Sequence, residues 1–577
     1  MKEDKKRLLL PLLLLLSGVV HGQNISEIAK SDPLIITGAV GTQNTYRYSS
    51  VGNGYSSPLN NTVYANLNIS LYGISMPFSF IYSNDNLDFN YPHISFNISP
   101  TYKNWTGHFG QASMGFSNYV MNMSFNGVGL EYNDKKLRAG IFYGRLRSAI
   151  NPDPTDPFAR TPQYKRMGWG FKVGYGTAKN YVDLYLLRAY DRINSLDPQW
   201  RSQVSPQENV VVGLKGCVTP TGWLSLTANA ATSIFNTDKN ADKLPTTNSF
   251  DKVFDTRYST LARFAGDINA NLTLPGFNTT VSYKLIQPDY TSLGTYYMTN
   301  NYHSLGITAS THLFKKVALS ATFSGQEDNL SDKQLFTTCG YIYAASASTR
   351  LGQHFNVNLN YNGYLQTQRD GTAHVNDTTK VHRRMNSFSL TPTYMLETET
   401  FGHSVSLSAN YTENKDLNKF SSGESDVKTI ALGASYGLNV KPWSTDFTAT
   451  LSHQRSKGYK TTYTSDIASI TASRSFLENN NLNVSATVSL CYNEVERQSK
   501  NLSIGTDLSA SYTLKKVHVF SASVGFNKYG DVNVTKLRSE LDCTDITASL
   551  NYAYTFSLFS IKSKATKEAE KQAKKMQ

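Results

Sequence analysis

The sequence predicts an all-β protein: a transmembrane antiparallel β-barrel of about 26 strands, within a range of 22 to 30, with short turns at one end and longer loops at the other. Two observations carry this. Apolar and polar residues alternate with a period of two along most of the chain, and the connections between the alternating stretches are short and long by turns. A third is the N-terminus, where MKEDKKR is followed by LLLPLLLLLSGVV and by Val20-His21-Gly22, the pattern of a secretory signal peptide cut after Gly22.

In chain order, residues 1–22 read as the signal peptide and 23–33 as a short periplasmic segment. Residues 34–559 form the barrel, and 560–577 a lysine-rich periplasmic tail. The apolar run of the signal is too short to span a bilayer, and no later run is long enough for a membrane helix. No Cys follows the cut, which argues against a lipoprotein.

Within the barrel segment, FNVNLNYNGY (355–364) shows the alternation plainly. Phe355, Val357, Leu359 and Tyr361 share one face, and Asn356, Asn358, Asn360 and Asn362 the other. A single such strand fits a soluble sandwich as well as a membrane wall. The texture, however, runs on without the composition breaks that separate sandwich domains. The apolar face is therefore expected to meet lipid and the Asn/Ser/Thr face a wet lumen. Closure leaves no unpaired backbone in hydrocarbon, and 36 tyrosines are available for aromatic girdles.

Twelve short connections read as periplasmic turns: 73–77, 103–105, 133–136, 176–180, 219–222, 274–277, 314–316, 352–354, 397–402, 441–444, 477–481 and 514–516. Longer polar stretches between them, such as 147–165, 191–208, 236–257, 365–383 and 414–426, read as surface loops. An even strand number places both termini in the periplasm. Phe559 is a suitable closing aromatic, and the Ala, Glu and Lys of the tail beyond it favour a helix.

Composition narrows the function classes. About half of the formal charge of +13 lies at the two ends of the chain and the remaining basic residues are scattered, so no basic stripe marks a nucleic-acid surface. The four cysteines, Cys217, Cys339, Cys491 and Cys543, are far apart, with neither CxxC nor Cys/His spacing, and read as free thiols rather than a metal or disulfide framework. HExxH does not occur, GxSxG occurs only as GASYG (433–437) inside an alternating strand-like stretch rather than at a strand-to-helix turn, and His374, Asp377 and His382 share only a polar loop, so no catalytic residues, metal or cofactor are expected.

Three stretches, NLNISLYGISMPFSFIYSN (66–84), AGIFYGRLRSAI (139–150) and QPDYTSLGTYYMTNNY (287–302), resemble a family of large outer-membrane β-barrel proteins of Bacteroidota. The resemblance covers most of the mature chain and implies the barrel and the outer membrane, without chemistry to transfer. TonB-dependent transporters of the same bacteria carry an N-terminal plug domain, for which the few residues between the cut and the first strand leave no room.

The expected activity is that of a conduit, a channel or translocon for a solute or an exported polypeptide, gated by inward loops or a partner. The alternatives are a lumen-blocked scaffold that anchors or assembles a surface complex and, more remotely, a barrel enzyme. The candidate constriction or ligand loop is QPDYTSLGTYYMTNN, with Asp289, Tyr290, Tyr296 and Tyr297; its plainer reading is a surface loop at the girdle. Arg138, Arg145, Arg147, Arg160, Lys165 and Arg166 are candidate contacts to anions or lipopolysaccharide phosphates, or ordinary rim charge. Expected partners are outer-membrane lipid and lipopolysaccharide, with a periplasmic or surface protein, or a separate plug, as a further partner.

Overall fold

The computed structural model describes residues 33–51, 58–72, 74–84, 94–153, 160–245, 254–421, 423–496, 499–531 and 543–561. The expected signal segment and residues 562–577 of the expected tail lie outside these residues, while 560–561 continue the last strand. Every strand pairs antiparallel with its neighbours in sequence, and the first, Leu34–Ser49, pairs with the last, Cys543–Ile561, so the sheet closes on itself. The 27 hydrogen-bonded segments form 26 staves. Ile94–Ile98 and Thr101–Tyr102 are halves of one stave, both lying between Ile74–Ser83 and Trp105–Ala112. Ser99 and Pro100 interrupt it, as expected where proline withdraws a backbone donor from the ladder.

Eleven of the twelve expected short connections lie at the junction of paired strands, with 314–316, 352–354 and 441–444 separating strands to the residue; of 73–77, Gly73 lies outside the described residues and the rest belongs to the strand Ile74–Ser83. At about 4.8 Å between strands and roughly 40° of tilt, 26 staves close a circumference of about 160 Å, or a diameter of roughly 50 Å for a round section.

The two faces sort as the period of two requires. On strand Phe355–Asp370, Leu359 and Tyr361 are exposed on the outward face, while Asn360 donates to the Ser389 hydroxyl on the inward face (3.3 Å). Outward apolar positions run from Phe355 to Leu365 and give way to Thr367 and Arg369. Ten residues at that tilt span about 25 Å, the height of a lipid-facing belt. The belt begins at the short turns, and on the long-loop side the strands run on beyond it.

Hydroxyl and amide groups pair across strands on the inward face of the second half of the chain. Examples are Ser387 with Thr412 (3.3 Å), Thr429 with Ser456 (2.8 Å), Thr471 with Thr487 (3.0 Å) and Ser523 with Ser549 (2.7 Å). Cys491 faces inward among them, and all four cysteines are free thiols.

A candidate luminal site: two loops docked on one wall

The strands between Trp105 and Leu313 depart from this pattern, because their inward faces carry apolar residues and glycines. One row of directly opposed positions reads Glu131, Gly140, Lys172, Tyr185, Gly213, Ala231, Ala265 and Ile286. The next reads Gly129, Phe142, Gly170, Leu187, Val211 and Ser233. A wall apolar on both faces needs cover on the luminal side. Residues 113–124 and 287–301, two of the long connections, fold into the lumen and supply it. Met114, Tyr119, Val120, Met121, Tyr290 and Leu293 are buried with Phe125, Phe142, Leu187, Val211 and Ala231 in one core.

Close approach requires glycine at two places. A Cβ on Gly213 would sit 2.5 Å from Val120 Cγ2, and one on Gly294 would sit 2.4 Å from Leu187 Cδ2 and 2.8 Å from the Val120 carbonyl. Aromatic packing completes the contact: Phe125 stacks on Phe142 at 4.6 Å, and Phe116 meets Phe142 edge-on at 5.6 Å.

Hydrogen bonds join the loops to each other. Tyr290 Oη donates to the Tyr119 carbonyl (2.9 Å) and Ser292 Oγ to the Val120 carbonyl (2.5 Å). The amides of Asn122 and Met123 both donate to the Gly294 carbonyl (3.1 Å). Others join them to the wall: Ser233 Oγ donates to the Thr291 carbonyl (2.5 Å), the Leu293 amide to Asn209 Oδ1 (3.1 Å), Ser117 Oγ to Asn229 Oδ1 (2.8 Å), and Arg263 Nε to the Pro288 carbonyl (2.9 Å). The backbone groups of a loop removed from bulk water thus find protein partners. Burial, and after it the bond to the Asp267 carboxylate, push the Tyr119 phenol well above its ordinary value; burial does the same to Tyr290.

Charges flank the docked loops. One step toward the short turns, opposed inward positions carry Arg138, then, across Gly174, Asp183, Lys215, Asn229, Asp267 and Lys284, a row of alternating sign. Arg138 grips Asp183 Oδ1 through Nη2 (2.7 Å) and Nε (3.1 Å). Toward the loop end, buried Arg166 makes a two-pronged pair with Asp191 (2.8 and 3.0 Å). Between these levels Glu131 bonds His108 (2.8 Å) and Lys172, and Lys172 also donates to the Gly115 carbonyl (3.2 Å).

The candidate loop 287–301 therefore lies inside the barrel, and its residues divide. Tyr290 is 1% exposed and anchors the loop, whereas Tyr296 and Tyr297 are 68% and 83% exposed on its free edge. Asp289 is exposed, 3.7 Å from Arg263. The cationic candidates are not brought together. Arg138, Arg147 and Arg166 lie at inward positions facing carboxylates, with Arg147 at 3.7 Å from Asp191. Arg145 alternates with them on the outward face, Lys165 is at the outer edge of its strand, and Arg160 is exposed in the connecting loop. His374 is exposed and paired with Asp370 (2.8 Å). Among the described residues no group of three or more His, Cys, Asp and Glu could hold a metal ion.

Sequence reasoning missed residues 113–124. The signal was present in SMGFSNYVMNMS, a loop-length segment rich in Met and aromatics, and in YVDLYLLRAY (181–190), where alternation is lost because both faces are apolar.

A closed antiparallel wall, an outward apolar belt and loops folded into the lumen define a transmembrane β-barrel with two loops docked on its inner wall. No family model matches the chain, and no curated protein matches it. Among solved structures, the P pilus usher (PapC) translocation pore aligns over 91% of this chain and 100% of its own, at 11% identity and a TM-score of 0.36. OccAB3 of Acinetobacter baumannii aligns over 61% of this chain and 93% of its own, at 11% identity and a TM-score of 0.29. OccK8 (OprE) of Pseudomonas aeruginosa aligns over 68% of this chain and 98% of its own, at 10% identity and a TM-score of 0.31. Likeness at this level carries no inference about what the chain does.

Proposed function

We propose that the protein is an outer-membrane conduit, exported through a cleaved signal peptide, with both termini in the periplasm. Its lumen is narrowed from one side by the docked loops and passes a hydrated solute or an exported polypeptide along the opposite wall. The observation that carries this reading is the asymmetry of the lumen. The loops cover the apolar wall between Trp105 and Leu313, while the hydroxyl and amide wall of the later strands stays exposed, with Asn358 and Asn362 open to the interior. A wall of roughly 50 Å is far wider than two loops. Tyr296 and Tyr297 form the edge of the plug and Asp289 and Tyr290 its base, which makes 287–301 the constriction. The lipid-facing candidates for lipopolysaccharide phosphates are the outward Arg145 and Lys165, whereas Arg138, Arg147 and Arg166 serve the lumen.

The test is single-channel conductance of the full-length protein in a planar bilayer, beside a variant lacking residues 287–301. A stable conductance that rises on deletion is expected. A barrel that is correctly folded by heat-modifiable migration, yet silent in both forms, would overturn the conduit.

A further inference from the structure

The short-turn end of the barrel is a ring of lysines. Two lie on each of the turns 134–136, 314–316 and 515–517, and one on each of 103–104, 177–180 and 441–444. Against these nine, the twelve turns carry the four acids Asp134, Glu397, Glu399 and Glu478. All nine lysines are exposed, and among the described residues only Lys441 has a carboxylate partner, Glu397 at 3.2 Å. Backbone geometry sharpens the point. Lys103, Lys315, Lys515 and Lys516 hold φ of 53°, 58°, 52° and 62°, the left-handed region that glycine or asparagine occupies with less strain.

The depth of the ring identifies what it meets. Outward apolar residues reach the turns without a gap: Leu313 precedes 314–316, Leu514 precedes 515–517, and Leu351 and Phe355 bracket 352–354. Exposed aromatics stand in the turns themselves, at Tyr72, Trp223, Phe314 and Trp443. Aromatic rings and lysines together at the margin of an apolar belt are the chemistry of the lipid headgroup layer. On the long-loop side the strands instead run past the belt, which lifts those loops away from that layer.

We propose that the short-turn ring is a binding surface for the phosphate groups of anionic phospholipids in the leaflet on that side, holding the barrel at fixed depth and orientation. The inference needs only the barrel and its belt, not a passage through it. Lysine is suited to the task as a mobile point charge, able to follow headgroups that diffuse laterally.

The test compares the full-length protein with the variant Lys135→Gln, Lys136→Gln, Lys315→Gln, Lys316→Gln, Lys515→Gln and Lys516→Gln. Two further variants accompany it: a control with three outward lysines of the opposite end changed, Lys428→Gln, Lys457→Gln and Lys528→Gln, and, for comparison with that control, a turn variant of equal charge loss, Lys135→Gln, Lys315→Gln and Lys515→Gln. Each is placed in nanodiscs of phosphatidylcholine with a minor share of phosphatidylglycerol, and the lipid retained is measured by native mass spectrometry after release. Enrichment of phosphatidylglycerol should fall on the order of tenfold in the six-lysine turn variant, weaken with salt in the parent, and persist in the control. Equal enrichment in all four proteins, or equal loss in the control and the three-lysine turn variant, would overturn the proposal. So would a turn variant that keeps its lipid but loses retention on a soluble acidic polymer, since that would make the partner a periplasmic polyanion.

Discussion

Truncating Tyr290 tests whether the docked loops are one cooperative unit. The side chain is 1% exposed, and its hydroxyl donates to the Tyr119 carbonyl at 2.9 Å. Tyr290→Phe removes that bond and leaves a buried carbonyl without its donor, which costs about 1–2 kcal/mol, roughly a tenfold rise in the undocked population. Tyr290→Ala removes the ring as well, for about 3–5 kcal/mol, or roughly two to three and a half orders of magnitude. The readout is hydrogen exchange of the Leu293, Asn122 and Met123 amides, which donate to Asn209 Oδ1 and the Gly294 carbonyl and so exchange only when the loops part. Both loops should accelerate together in the order Ala, Phe, parent, while amides of the strand Val427–Val440 keep their rates. If the alanine variant exchanges like the parent in both loops, or only in 287–301, the two segments are not held by each other and the plug as described is wrong.

Three further outcomes follow from the same geometry. Gly213→Val places methyl groups where Val120 packs, so it should undock residues 113–124 and raise conductance, whereas Gly222→Ala, in open space at a turn, should change neither. Lys215→Glu reverses one charge in the luminal row between Asp183 and Asn229 and should shift the reversal potential of a salt gradient toward cation preference; an unchanged potential would put that wall off the ion path. The raised phenols of Tyr119 and Tyr290 stabilise the docked state fully below the ordinary tyrosine value near 10, and that contribution is lost as pH rises through their higher values. Loop protection, corrected for intrinsic exchange, should therefore be flat from about pH 6 to 9 and fail only in strong alkali, and a transition near neutrality would contradict it.

Strand positions and turns were legible because both are local. Residues such as Phe355 and Asn356 declare their faces by parity alone, and turns such as FKK and KPWS interrupt that parity within three or four residues. The direction of a loop is not local. Residues 287–301 showed their aromatics, but that Tyr290 and not Tyr296 would be the anchor depends on Tyr119, which lies some 170 positions earlier in the chain. The cationic group shows the intermediate case. Arg138 and Arg145 differ by an odd number of positions and so had to face opposite ways, which sequence could have settled. The irregularity that turns Arg147 toward Asp191 is a register shift between Arg145 and Arg147 that composition does not reveal.

The seam where Leu34–Ser49 meets Cys543–Ile561 sets a condition on biogenesis. Every other pairing joins neighbours in sequence and can form as the chain emerges, but this one waits for the final stave. Until it arrives the growing sheet has two raw edges, each a row of unpaired amides and carbonyls that hydrocarbon cannot satisfy. The protein thus has to be shielded through assembly and released only on closure, and a chain cut short within the nineteen residues of its final stave, Cys543–Ile561, would fail as an aggregate rather than persist as a narrower pore.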